Sequence, residues 1–121
     1  MNSPDNNPKS KFGMKKPNLF LVPAIATLHM ADAMGDGAVK YGPYNWRENS
    51  VAASIYIAAA KRHMDAWVEG ERVADDSGVH HLGHAAACLG ILLDAEACGN
   101  LIDDRPPESP YPGILKKLTK E

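Results

Sequence analysis

The chain has 121 residues and a formal net charge of −2 at pH 7. This length suits a single domain, and the small negative charge argues against broad electrostatic binding to nucleic acid. No apolar run reaches the roughly 18 residues of a membrane span, and the polar N-terminus lacks the pattern of a signal peptide. We therefore expect a cytoplasmic protein that binds neither membranes nor nucleic acid.

The apolar residues are mainly Ala, Leu, Ile, Val and Met, whereas Phe and Trp occur only twice each. This composition favours close-packed helices, and we predict an all-α fold built from three main helices. Helices with so few large side chains bury a thin core. We therefore expect a small helical bundle that is completed by homo-oligomerisation, as a dimer or a larger assembly.

Residues 1–18 are polar and rich in Lys, and we predict that they form a mobile basic tail. A helical domain is expected over residues 19–105. Its first helix is predicted from Pro23, which suits a first turn, to about Val39. Residues 40–47 contain a Gly-Pro pair and are predicted to form a turn.

The second helix is predicted from an N-cap at Ser50 to Glu69, where Gly70 ends it. The third helix is predicted from about Gly78 to Ala97. Its inward face is expected to consist of Leu82, Ala85, Ala86, Leu89, Leu92 and Leu93.

Residues 106–121 are rich in Pro and then in Lys, and we predict that they form an extended C-terminal arm. Cys88 and Cys98 lie on the third predicted helix, about 15 Å apart along its axis, so they cannot pair with each other. We expect both to be buried thiols in a reducing compartment.

The segment from Asp75 to His84 contains two acids and three histidines. On a helix, His81 and His84 would share one face, as would His80 and His84. Imidazole and carboxylate groups are the usual protein ligands of divalent metals. The segment therefore indicates a metal site, and the alternative is a solvated helix start whose acids interact with the helix dipole.

An antiparallel pairing of the second and third helices would bring further ligands to the same end of the bundle. Carboxylates and imidazoles between paired helices are typical of di-metal sites. We predict that the metal ligands are His63, Glu71, Asp76, His81 and His84, with Glu71 and Asp76 as the catalytic groups. A lone His on an apolar helix face is more often a hydrogen-bonded core residue, and this alternative stays open for His63.

Three other catalytic motifs are excluded because residues that they require are not present. The zinc-protease helix motif needs Glu directly after its first His, and His81 occupies that place. The HD phosphohydrolases need an adjacent His-Asp pair, which the sequence does not contain. Ser77 lies near the histidines, but without a Gly-x-Ser-x-Gly turn it is not expected to be a nucleophile.

Five short motifs follow one another along the chain: Leu21-Val22-Pro23; Lys40-Tyr41-Gly42 with Asn45-Trp46-Arg47; Arg62-His63 with Ala66-Trp67; Gly70-Glu71; and Asp76-Ser77-Gly78 with His81-Leu82-x-His84-Ala85. Together, over residues 13–105, they resemble the dATP/dGTP diphosphohydrolase-like family of phages. That family is related to the MazG-like all-α nucleotide pyrophosphohydrolases, which split a nucleoside triphosphate into the monophosphate and pyrophosphate. The resemblance implies the same reaction here, in the host cytoplasm if the protein is phage-encoded.

The resemblance also implies a cofactor. The run His81-Leu82-Gly83-His84 stands where the MazG-like enzymes often carry Glu-Leu-Gly-Asp. Because Mg²⁺ prefers oxygen ligands, two imidazoles would favour Mn²⁺, Co²⁺, Fe²⁺ or Zn²⁺, with Mg²⁺ kept among the candidates. We expect such an ion to activate water and to neutralise phosphate charge.

We therefore predict metal-dependent hydrolysis of a purine deoxynucleoside triphosphate, dGTP or dATP. The candidates for phosphate binding are Lys40, Arg47, Lys61 and Arg62, and those for base recognition are Tyr41, Asn45 and Trp46. Packing within the turn is the alternative role of Tyr41 and Trp46. Two other functions stay open: a non-enzymatic helical module with a structural metal or none, and a phosphohydrolase that releases triphosphate.

Overall fold

The computed structural model describes residues 5–121, and nearly all of its regular structure is helical. The helices are α1 Pro8–Gly13, α2 Ala24–Tyr41, α3 Asn45–Glu48, α4 Ala53–Val68, α5 His81–Cys98 and α6 Tyr111–Leu118, with a 3₁₀ turn at Leu19–Leu21. Two short strands, β1 Val51–Ala52 and β2 Leu101–Ile102, pair in parallel with Val51 opposite Leu101. The all-α expectation is confirmed. No helix in the described range is long and apolar enough to cross a membrane.

Helix α5 lies at the centre of the fold, and both α4 and α2 pack against it. Its buried residues are small ones, Gly83, Ala85, Ala87 and Ala95, together with His81. A β-carbon on Gly83 would lie 2.6 Å from the carbonyl oxygen of His29 in α2. The two helices can therefore approach this closely only because position 83 has no side chain.

The core is thin, as the composition predicted. Its buried apolar residues are Ala33, Val51, Ala53, Ala60, Ala74, Val79, Ala85, Ala87 and Ala95. Val51 is the largest side chain among the fully buried ones. Close backbone contact between helices therefore replaces the interlocking of large side chains in the described part of the chain.

The predicted inward face of α5 is correct for Ala85, which is buried, and wrong for Leu82, Leu89 and Leu93. Their exposed fractions are 38%, 43% and 71%. Helix α5 has a neighbour on each of two faces, and Gly and Ala allow a closer approach there than Leu would. The leucines consequently occupy the outer face that remains.

Several predicted boundaries shift by a few residues. Helix α2 ends at Tyr41 and Asn45–Glu48 is helical, so the predicted turn is confined to the residues between them. Ser50 is not an N-cap, because the chain is extended there to place Val51 beside Leu101 in the sheet. Helix α4 therefore begins three residues later than its predicted cap.

The short helix α3 is fastened to the far end of α5. Asn100, which follows α5, donates from Nδ2 to the carbonyl oxygens of Trp46 at 2.8 Å and Asn49 at 2.7 Å. Arg47 makes two hydrogen bonds to the carboxylate of Asp94, at 2.8 and 2.6 Å. These contacts fix the loop after α2 relative to α5.

Both terminal segments contain a helix. Residues 1–4 of the predicted tail lie outside the described residues, whereas Pro8–Gly13 are helical. The prediction of an extended arm is wrong for Tyr111–Leu118, which form α6, because Pro112 is well suited to a first helical turn. Both helices are solvent-exposed.

The two cysteines are free thiols. Cys88 is half-buried, and burial raises its pKa. The prediction that Cys98 is buried is wrong, because it lies at the exposed last turn of α5.

Candidate functional site

A cavity of about 740 Å³ lies between α2, α4 and α5. Aromatic residues line it from the end of α2, the loop after it and the first turn of α4: Tyr41, Tyr44, Trp46 and Tyr56. Its charged and imidazole groups are Asp36, Lys40, Arg62, His63, Asp76 and His84. The cavity therefore suits a ligand that has a flat apolar part and a charged part.

Three histidines meet where the second half of α4 lies beside the first turn of α5. Nδ1 of His63 lies 2.8 Å from Nδ1 of His81, and the ring of His63 stacks on that of His84 with centroids 4.5 Å apart. Nε2 of His81 lies 2.6 Å from a carboxylate oxygen of Glu71. The structure thus brings together four of the five predicted metal ligands.

These four residues form two layers. His63 and His84 line the cavity, whereas His81 is buried behind them and Glu71 lies outside. A carboxylate only accepts hydrogen bonds, so Nε2 of His81 donates to Glu71. In the tautomer with the proton on Nε2, Nδ1 of His81 accepts and Nδ1 of His63 donates. The lone pair of His63 is then on Nε2.

Ser77 fixes the second imidazole of the cavity. Its hydroxyl oxygen accepts the backbone N–H of Val79 at 3.2 Å and lies 2.8 Å from Nε2 of His84. The loop can turn back in this way because Gly78 adopts a φ of 73°. A hydroxyl oxygen has two lone pairs, so it can accept the Nε2–H of His84 as well, which leaves the lone pair of His84 on Nδ1.

Burial favours the neutral form of both cavity imidazoles. The pKa of His63 is lowered by burial and by the neighbouring His84 and His81. The pKa of His84 is lowered chiefly by burial, although the charge of Asp36 opposes this shift. Both rings are therefore neutral at pH 7, the state in which imidazole binds metal or accepts a proton.

A cation and an acid from α2 face the histidines. Nζ of Lys40 lies 2.9 Å from a carboxylate oxygen of Asp36, one helical turn earlier. This hydrogen bond raises the pKa of Lys40, and the charge of Asp76 acts in the same direction. The cavity therefore contains two carboxylates, and Lys40 lies within the field of both.

His80 does not join this cluster. It precedes α5 as its N-cap, and its Nδ1 accepts the backbone N–H of Leu82 at 3.0 Å. Its ring lies against that of His29, with centroids 4.9 Å apart. The predicted pairing of His80 with His84 on one helix face is therefore wrong.

The predicted site residues separate into two groups. Those lining the cavity are Lys40, Tyr41, Asn45, Trp46, Arg62, His63, Asp76 and His84. Those outside its lining are Arg47, Lys61, Glu71 and His81. Arg47 is held by Asp94, and Glu71 and His81 support His63 from behind.

Sequence reasoning missed four further cavity residues, Asp36, Tyr44, Tyr56 and Cys88. Tyr56 precedes His63 by seven residues, two helical turns, so helical periodicity could have placed them on one face. Asp36 precedes Lys40 by four residues, the spacing of a helical ion pair. Cys88 follows His84 by four residues and so shares its helix face, whereas no comparable signal marks Tyr44.

The donor set suits a metal only in part. Among residues 5–121, no three His, Cys, Asp or Glu side chains are arranged to hold an ion together. His63 and His84 each have one ring nitrogen hydrogen-bonded within the protein, and the other has no partner among the described residues. Such bonds orient metal-binding histidines. With Asp76 nearby, these rings fit an ion that also takes ligands from a bound molecule.

Comparison with known proteins places the sequence of this chain in a family. The model of the family described as "dATP/dGTP diphosphohydrolase, N-terminal" matches residues 6–105. A dATP/dGTP diphosphohydrolase of Salmonella phage PMBT28 is 29% identical over 107 residues, which are 88% of this chain and 36% of that protein. The chain thus spans about a third of the relative's length, and no solved structure matches it. Because the matched range covers most of the chain and the whole cavity, the protein belongs to the dATP/dGTP diphosphohydrolase N-terminal family.

Proposed function

We propose that this chain hydrolyses a purine deoxynucleoside triphosphate, dATP or dGTP, to the monophosphate and pyrophosphate. The observation that carries the proposal is a cavity in which aromatic rings, cationic side chains and neutral imidazoles meet. The name of the Salmonella phage relative, a dATP/dGTP diphosphohydrolase, supports the substrate and the reaction class.

The aromatic part of the cavity would hold the base. The ring centroids of Tyr44 and Trp46 lie 5.7 Å apart, and the two ring planes are tilted by 58° relative to each other. A purine has a larger face than a pyrimidine and gains more from stacking on such rings. Asn45 offers its amide N–H groups to the edge of the base, since its Oδ1 already accepts from Nδ2 of Asn49 at 2.8 Å. Burial raises the pKa of Tyr56 and keeps its hydroxyl protonated.

Lys40 and Arg62 would hold the phosphates. In the free protein Lys40 pairs with Asp36, and a triphosphate would offer it a second anionic partner. Arg47 and Lys61 are not assigned this role, because neither lines the cavity and Arg47 already makes a bidentate ion pair with Asp94.

The reaction would depend on a divalent ion, with Mn²⁺, Co²⁺ and Mg²⁺ as the main candidates and Zn²⁺ or Fe²⁺ as alternatives. His63 and His84 would each contribute a ring nitrogen, with Asp76 nearby, and phosphate oxygens of the substrate would supply the remaining ligands. When bound, the ion activates water and neutralises phosphate charge. Glu71 and His81 would orient His63 rather than bind the ion themselves.

A product assay tests the reaction. The protein would be incubated with dATP, dGTP, dCTP and dTTP in ¹⁸O-labelled water, with Mg²⁺, Mn²⁺ or Co²⁺ and with a chelator. We expect equal amounts of monophosphate and pyrophosphate from the purine nucleotides, only with metal. Released triphosphate would identify a different phosphohydrolase, and no turnover with any ion would favour a non-enzymatic module. Either result would contradict the proposal.

A pair of variants tests the site. His63→Gln removes the Nε2 lone pair that faces the cavity and should lower kcat by about 10²-fold or more. His29→Gln is the matched control, because His29 is exposed on α2 and does not line the cavity. Equal activity of the two variants, with helix content unchanged by circular dichroism, would place the site elsewhere.

A further inference from the structure

Asn45 lines the cavity, and its side chain is held by Asn49, the residue that follows α3. Nδ2 of Asn49 lies 2.8 Å from Oδ1 of Asn45 and 3.3 Å from the backbone carbonyl oxygen of Asn45. A backbone carbonyl only accepts hydrogen bonds, so the atom of Asn49 beside it is the amide nitrogen. The same nitrogen donates to Oδ1, and the orientation of both amides is therefore defined.

This contact engages the oxygen of the Asn45 amide and leaves its N–H groups free. Oδ1 points to Asn49, which does not line the cavity. Its second lone pair keeps the same orientation, because the amide cannot rotate towards a ligand without breaking the 2.8 Å bond. The two N–H groups on Nδ2 have no partner among residues 5–121. Asn45 therefore offers a ligand two donors.

Asn100 fixes this amide beside an aromatic ring of the cavity. Its Nδ2 donates to the carbonyl oxygen of Asn49 at 2.7 Å and to that of Trp46 at 2.8 Å. The ring of Trp46 lines the cavity and directly follows Asn45 in the chain. A base that lies against this ring would meet the Asn45 amide at its edge.

The two purines differ at the edge that such an amide would contact. Guanine presents two neighbouring acceptors, N7 and O6, whereas adenine presents the acceptor N7 beside the donor N6–H. An Asn side chain usually binds adenine through both its oxygen and its nitrogen, which requires the oxygen to face the base. If N–H groups face adenine instead, two donors oppose each other and one is left unpaired, which is costly in a buried site.

We infer that Asn45, oriented by Asn49, reads the base, and that the cavity selects the 6-oxopurine deoxynucleotides dGTP and dITP over dATP. The inference rests on the proposed function for the placement of a base beside Trp46. It goes further than the name of the Salmonella phage relative, which gives dATP and dGTP together. The nucleotide dITP is included because it keeps O6 and N7 and lacks only the 2-amino group of guanine.

Nucleotide binding in the presence of a chelator tests the inference without turnover. Calorimetry on the full chain would compare dGTP, dITP, dATP and 7-deaza-dGTP, which carry the same triphosphate, so that differences in their dissociation constants report the base. We expect dITP to bind within about threefold of dGTP, and dATP to bind about tenfold or more weakly. Binding of 7-deaza-dGTP, which has C–H in place of N7, should be weaker than that of dGTP by about fivefold or more.

Two variants test the role of the asparagine pair. Asn49→Ala frees the Asn45 amide to turn its oxygen towards adenine, so the preference for dGTP over dATP should fall by about fivefold or more. Asn45→Asp replaces the donor by a carboxylate, which only accepts, and should make dATP the better ligand. Glu48→Ala is the matched control, because Glu48 is exposed on α3 and does not line the cavity, and it should keep the wild-type preference.

The outcomes separate this inference from the proposed function. Equal binding of dGTP and dATP by the wild-type protein overturns the inference, as do unchanged selectivity in Asn49→Ala and the absence of binding by every nucleotide. Should Asn49→Ala lose its helix content by circular dichroism, the reversal expected for Asn45→Asp decides the question. Selective binding without hydrolysis after metal is added would support the inference and contradict the proposed function, and hydrolysis without selectivity would do the opposite.

Discussion

Ser77 acts on the cavity through one hydroxyl group. Its oxygen accepts the N–H of Val79 and lies 2.8 Å from Nε2 of His84. This hydrogen bond orients the imidazole ring and engages Nε2, so Nδ1 is the nitrogen of His84 that is left for a ligand. Ser77 is in this sense a positioning residue, although sequence reasoning considered it only as a nucleophile.

Replacing Ser77 by Ala should lower kcat by about 10-fold to 100-fold and leave KM within about twofold, since the loss falls on the orientation of His84. Steady-state kinetics with dGTP and Mn²⁺ would measure both constants. Ser50→Ala is the control, because Ser50 is exposed and lies outside the cavity lining. A change in KM alone would show that Ser77 acts on substrate binding instead.

The cavity histidines should make stability depend on pH. The pKa of His63 and that of His84 are lowered in the folded protein from the ordinary value of 6.5. The unfolded chain then binds protons more readily, so the free energy of unfolding is greatest above about pH 6.5 and falls as pH decreases towards the folded pKa.

Urea unfolding between pH 7.5 and pH 5, at fixed protein concentration and with a chelator, would measure this trend. A variant carrying His63→Gln and His84→Gln should show a flatter dependence. The pKa values of Asp94, Asp103 and Asp104 are also lowered in the folded protein. These carboxylates take up protons only below about pH 4, so they do not contribute to the trend between pH 7.5 and pH 5. Stability that rises on acidification from pH 7.5 to pH 5 would contradict the assignment.

Local spacing predicted some site residues and could not predict others. The meeting of His63 with His81 and His84 follows from a helical hairpin, which the sequence indicates directly. Arg47 is unavailable to the cavity because it pairs with Asp94, which lies 47 residues later in the chain. No local sequence pattern encodes such a contact. Short-range periodicity therefore found the histidines and misassigned the arginine.

At the scale of elements, two glycines of α5 face α2 in different surroundings. A β-carbon on Gly83 would meet the backbone of His29 at 2.6 Å, whereas one on Gly90 would meet the flexible end of Met30. Backbone cannot move aside as a side-chain methyl can. The distance between α2 and α5 is therefore set mainly at Gly83.

Gly83→Ala should destabilise the fold by about 1–3 kcal/mol, because the helices must separate. Gly90→Ala is the control, since both substitutions gain the same helix propensity of about 1 kcal/mol and only the first meets backbone. Urea unfolding of both proteins at one concentration gives the difference. If Gly83→Ala were as stable as Gly90→Ala, α2 and α5 would not be in close contact in solution.

The positions of the main helices were easier to predict than the face that each helix buries. Ala-rich periodic segments indicated the main helices, and Gly70 and Gly99 do end α4 and α5 with positive φ values. The face of α5 was assigned wrongly because hydrophobicity alone favours Leu82, Leu89 and Leu93 for the interior. The shape of the neighbouring helices decides instead, and they admit only small residues.

At the scale of the whole molecule, the thin core and the exposed leucines of α5 have one origin. A chain with few large apolar residues can bury Ala between its own helices and leave Leu82, Leu89 and Leu93 on the outer side of α5. Composition predicted the first part of this arrangement. It could not predict which surface is left over, because that depends on how α2 and α4 are placed around α5.

The hydrogen bonds of Asn100 connect the segment around α3 to the end of α5. By holding the carbonyl groups of Trp46 and Asn49, this residue joins the aromatic edge of the cavity to the end of α5. Segments joined in this way open and close as one cooperative unit in local unfolding. A base that stacks on Trp46 would therefore slow amide hydrogen exchange in the last turn of α5 and in β2, although it touches neither.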